Sequence, residues 1–112
     1  QSVHLETKKI PDVYFCDQNF RISCAVMNKT DLYVGHEGGF GHVAAALNKK
    51  AVIYFGGWID PKVIGYDFHK NIYVDIAGSP CGSMTYLCDH CINCRSKITP
   101  DYLYKIIVNE IS

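Results

Sequence analysis

The chain alternates between short apolar runs and polar, glycine-rich connections, and the period of each run assigns it to an element. "DVYFC" (residues 12–16) is aromatic, β-branched and apolar, which predicts a short strand. In "NFRISCAVMNK" (19–29), Phe20, Cys24 and Met27 recur at helical spacing, with Ile22 and Val26 beside them, so a helix is expected there. "DLYVG" (31–35) predicts a second strand that stops at a glycine. "GHVAAALNK" (41–49) predicts a helix, closed by Asn48 and by two cations suited to a helix C-terminus. "AVIYFGG" (51–57) is almost wholly apolar, as in strands covered on both faces of a parallel sheet.

A loop is expected over residues 58–70, with Asp60 before Pro61 as a turn residue, and then a strand over 71–76. Residues 77–97 show no usable period and read as an irregular, cysteine-bearing loop, centred on 79–97. Thr99 fits an N-cap and Pro100 the first helical position of a closing amphipathic helix. Strands alternating with helices around an apolar central strand predict an α/β fold with a Rossmann-like, mostly parallel sheet. Ligands of such sheets bind in the crevice at the carboxyl ends of the strands.

Composition narrows the function classes. The 112 residues suffice for one domain with a real core, and 48% hydrophobic against 20% charged residues is a globular balance. Formal net charge is zero, which argues against nucleic acid as a partner. No apolar run approaches the roughly 20 residues of a membrane span, and no secretion leader is visible. The chain opens on Gln1 and a weakly periodic stretch, so the expectation is a piece cut from a longer protein.

Four of the six cysteines fall between Cys81 and Cys94, spaced C-x6-C-x2-C-x2-C. Tight C-x-x-C spacing without a leader points to metal or redox chemistry in a reducing compartment. Cys81, Cys88, Cys91 and Cys94 are therefore candidate ligands of a structural zinc or iron, with His90 as a substitute. Buried thiols without metal fit the same pattern. Cys16 and Cys24 read as core residues, and His4, His36 and His69 as solvated.

The turn "YVGHEGGFGHVAAAL" (33–47) sets four glycines, two histidines and Glu37 between a strand and a helix. Glycines there let the backbone approach a ligand, and the first N–H groups of the helix suit a phosphate. His42 would donate to a phosphate oxygen, and Glu37 would accept from a hydroxyl or amine. The pattern lacks both G-x-G-x-x-G order and a G-K-[ST] run, and a solvated glycine-rich connection explains it without a ligand.

Residues 31–57, "DLYVGHEGGFGHVAAALNKKAVIYFGG", resemble the donor-site segment of glycosyltransferase family 9, the heptosyltransferases. The resemblance rests on the Gly–acid–x–Gly–x–x–His–Ala-Ala-Ala order and the following Phe-Gly. The remaining chain matches more loosely. The resemblance implies the C-terminal half of a GT-B enzyme of cell-envelope glycan synthesis, cytoplasmic and peripheral at the inner membrane face. It implies a nucleotide-diphospho-sugar donor, a glycan or lipid-linked acceptor, inverting transfer, and no metal in the chemistry. The catalytic base would belong to an N-terminal domain outside these residues.

Carried over by position, the donor-binding residues are Glu37, Gly38, Gly39, Phe40, Gly41 and His42. Glu37 stands where the family has Asp, and Gly38 where it has Ser or Thr, which leaves phosphate binding to the backbone. Gly56, Gly57 and Trp58 are expected on the donor rim, where Trp58 could stack on a base or simply cover the sheet edge. Two other classes compete: a non-enzymatic, metal-stabilised interaction module, and an unrelated α/β nucleotide-binding enzyme.

Overall fold

A computed structural model describes residues 10–82 and 89–112. It is a mixed α/β structure around a small, open, three-stranded parallel sheet, compatible with a Rossmann-like arrangement. The strands are β1 (Tyr33–His36), β2 (Ala51–Gly56) and β3 (Lys70–Tyr73), in the spatial order β1-β2-β3. The apolar run is thus the central strand. Of its residues, Ala51, Val52, Ile53 and Phe55 are each buried, as a strand covered on both faces requires.

Two helices precede β2. In α1 (Phe20–Asn28), Asn19 caps the first turn by accepting from the Ile22 N–H at 2.9 Å. The second helix, α2 (Gly39–Ala46), begins two residues earlier than expected, with Gly38 as N-cap. Its C-terminus closes through Asn48, in the left-handed conformation at φ 54°. The Asn48 N–H bonds the Ala45 carbonyl and the Lys49 N–H bonds the Ala44 carbonyl, a Schellman closure. The two lysines do not serve the last helical turn as expected. Lys49 instead spans to the Asn28 and Thr30 carbonyls at the end of α1, and Lys50 to the Glu110 carbonyl at 3.1 Å.

Met27 of α1 and Ala44 of α2 pack with Ala51, Ile53 and Phe55 into the core on one face of the sheet. The opposite face carries Val34, Val52, Tyr54 and Ile72. There Arg95, Ile98 and Leu103 wall an apolar hollow of about 310 Å³. These wall residues come from α4 (Asp89–Ser96), the short link after it, and α5 (Pro100–Ile111). Thr99 caps α5 as expected, accepting from the Tyr102 N–H at 3.1 Å with Pro100 in the first turn.

Four expectations are corrected. Residues 12–16 form no strand: Val13 and Tyr14 are exposed, Tyr14 at 89%, and no strand among the described residues pairs with them. Cys16 is likewise exposed rather than a core residue, whereas Cys24 is half-buried. The segment 77–97 is not irregular throughout, because its second half is α4, with Cys94 buried. Asp60 is the N-cap of a short helix, α3 (Pro61–Ile64), accepting from the Lys62 N–H at 2.9 Å.

Candidate functional site: the cleft at the start of the second helix

The turn after β1 leaves the sheet at its carboxyl end. The Glu37 N–H still bonds the Tyr54 carbonyl at 2.9 Å, so the ladder holds Glu37 against the central strand. Gly38 then caps α2 without any side-chain hydrogen bond. The Gly41 and His42 N–H groups both turn onto the Gly38 carbonyl, at 3.0 and 3.3 Å. Gly39 and Phe40 thereby supply the leading N–H groups of the helix, which have no carbonyl one turn back. A Cβ added at Gly38 or Gly39 would meet nothing within 4 Å. These glycines leave backbone open at the surface; they do not relieve a packing clash.

Glu37, Gly38, Gly41 and His42 line one cleft, on the core side of the sheet. Ile53 and Phe55 of β2 form its floor, and Ile64, Gly65 and Tyr66 its far wall. His69 and Asn71 complete it from the start of β3. The register explains their presence: Asn71 pairs with Ile53, so it shares the face of Ile53 and Phe55. His69 lies two residues earlier on the same parity and is only 6% exposed, which corrects the expectation that it is solvated.

An aromatic cluster closes the cleft. His42 Nδ1 and the Tyr66 hydroxyl are 2.8 Å apart, and the two rings meet edge to face at 5.6 Å between centroids. Tyr66 also meets His69 at 5.5 Å, and His69 meets Phe68 at 4.5 Å. With the phenol donating to Nδ1, the His42 proton sits on Nε2, a donor suited to an anionic oxygen. Burial lowers the pKa of His69, and the nearby Lys49 carbonyl opposes that shift.

Phe40 is at the helix start but not on the cleft wall; it packs on Phe20 of α1, with ring centroids 5.4 Å apart. Gly56, Gly57 and Trp58 also lie elsewhere. They line a second hollow of about 170 Å³ together with Cys81, His90, Cys91 and Cys94. Gly57 is tightly held there: an added Cβ would come within 2.6 Å of both Cys94 Sγ and Ser79 Oγ. Ser79 donates to the Val74 carbonyl at 2.7 Å, so its 3.1 Å contact with His90 Nε2 has the imidazole as donor. Cys94 Sγ lies 3.6 Å from the same Nε2. Burial raises the Tyr54 phenol beside this hollow, Cys94 adds to the rise, and Arg95 opposes it.

No three His, Cys, Asp or Glu groups among the described residues stand where they could share one metal ion. The fourth candidate ligand, Cys88, lies outside the described residues. No helix among the described residues is long and apolar enough to cross a membrane.

The sequence reading missed Tyr66, His69 and Asn71. Period-two alternation of His69, Asn71 and Tyr73 against Ile72 and Val74 is the signal that could have found His69 and Asn71; no such pattern marks Tyr66. Placing the strand start at Asn71 cut His69 out of that pattern. No family model matches the chain, and no curated protein or solved structure matches it either.

Proposed function

We propose that this chain is the donor-binding part of a family-9-like, inverting glycosyltransferase of GT-B architecture, and that it holds a nucleotide-diphospho-sugar. One observation carries the reading. Glu37, Gly38, Gly41 and His42, four of the six residues the resemblance assigns to the donor, line a single cleft at the carboxyl end of β1, where α2 begins. The diphosphate would sit against the Gly39 and Phe40 N–H groups and the positive end of the helix dipole. His42 Nε2 would donate to it, and Glu37 would accept from a sugar or ribose hydroxyl. Charge developing on the departing diphosphate would be stabilised by donors already in place. The acceptor hydroxyl and the base that takes its proton belong, on this reading, to a preceding domain. The chain by itself binds and does not turn over.

Calorimetric titration with ADP, GDP and UDP tests this. His42→Ala is expected to weaken whichever nucleotide binds by about tenfold, the worth of one hydrogen bond to a charged group. Unchanged affinity in that variant would count against the reading.

A second reading is a structural zinc or iron that stabilises an interaction module. Cys81, Cys91 and Cys94 line one hollow but do not stand where they could share an ion, so on this reading the metal would draw them together; Cys88 lies outside the described residues. Elemental analysis of a metal-replete preparation decides: substoichiometric zinc and iron removes this reading.

A further inference from the structure

The cleft contains two buried polar atoms that the protein leaves without a hydrogen bond, His69 Nε2 and Asn71 Oδ1. Buried polar atoms in folded chains nearly always find partners, so a pair lining one cleft calls for one. Asn71 Oδ1 is an acceptor, and His69 Nε2 is a hydrogen-bonding ring nitrogen. The Asn71 amide is oriented by its nitrogen, which donates to the Tyr66 carbonyl at 3.0 Å, and this leaves Oδ1 as the group without a partner. His69 Nε2 accepts in one neutral tautomer and donates in the other, and in either it has no partner within the protein.

The surrounding wall offers little competition. Ile53, Phe55 and Ile64 contribute only apolar atoms from their side chains. The free space is about 10 Å³, room for a single water-sized group and not for a ring.

We propose that His69 and Asn71 form a subsite for one hydrogen-bond-donating group of the bound ligand, a hydroxyl or a primary amine. A primary amine would donate to both His69 Nε2 and Asn71 Oδ1, and a hydroxyl would donate to Asn71 Oδ1 and accept from His69 Nε2–H, while the ligand's phosphates lie at the start of α2. The inference rests on the donor-binding reading above and adds the recognition element that reading lacks. A sugar hydroxyl and a base amine present the same chemistry, so the experiment separates them.

The wild-type chain, His69→Phe and Asn71→Leu are titrated calorimetrically with inorganic pyrophosphate, ADP and ADP-glucose. Both variants remove the hydrogen-bonding group and put an apolar side chain in its place; Asn71→Leu also removes the donor to the Tyr66 carbonyl, so His69→Phe is the cleaner of the two. They are expected to bind pyrophosphate as the wild type does and to bind ADP-glucose about tenfold more weakly or worse. A loss shared with ADP places the donating group on the nucleoside; a loss confined to ADP-glucose places it on the sugar. Undiminished ADP-glucose affinity in both variants overturns the subsite while the donor-binding reading stands. A wild type that binds none of the three ligands overturns both. A second readout needs no variant. The ¹⁵N resonance of His69 Nε2 in the wild type is expected to move on saturation with ADP-glucose, as an unpartnered ring nitrogen gains a hydrogen bond. A resonance unmoved at saturation contradicts the proposal.

Discussion

His69 sets the character of the cleft at the scale of one residue. It is 6% exposed, and burial holds its imidazole below the ordinary value of 6.5. The unfolded chain therefore takes up a proton at a higher pH than the folded chain does. Stability linked to His69 is complete above about pH 6.5, and it falls as pH drops from there towards the lower folded value. The urea midpoint of the wild type should decline between about pH 7.5 and 5, and more steeply than that of His69→Phe. Parallel declines in the two proteins would show that His69 is not buried as a neutral ring. Gly57 makes a complementary point. The resemblance places it on the donor rim, yet what surrounds it is Cys94 and Ser79, so packing alone accounts for its missing side chain. Glycines at 38 and 39 are the opposite case, with open space where a side chain would stand.

Among the elements, those with local chemical signals were readable from the sequence. Thr99 announces a helix start and accepts the expected N–H three residues on, whereas the Asn19 cap of α1 is a finding of the structure. Thr99→Ala should cost about 1 kcal/mol in urea denaturation, and Thr99→Ser much less. Equal losses in the two variants would show that the hydroxyl is not what caps α5. The central strand was legible because burial on both faces demands an unbroken apolar run. Two other elements were not. Residues 12–16 have strand composition, but pairing is decided by what lies alongside, which composition does not carry. In α4, cysteines and polar residues alternate around the helix, so no apolar stripe marks its period, and Cys94 is its only buried residue. The donor turn was legible as glycine, acid and histidine before a helix. Its partners on β3 were not, because they are brought alongside by parallel pairing from some thirty residues away.

Across the whole molecule, the donor cleft and the cysteine hollow share only Phe55 in their walls. Glu37, Gly38, Gly41 and His42 line the first, while Gly56, Gly57 and Trp58 line the second with the cysteines. A ligand held as proposed touches the first and leaves the second alone. That separation makes the central claim directly measurable by amide NMR. On titration with inorganic pyrophosphate, the N–H resonances of Gly38, Gly39, Phe40, Gly41 and His42 should shift progressively and saturate, while those of Gly57, Cys81 and Cys94 stay in place. Resonances of the turn that remain fixed in excess pyrophosphate, or shifts confined to the cysteine hollow, would contradict the assignment of the start of α2 as the diphosphate site.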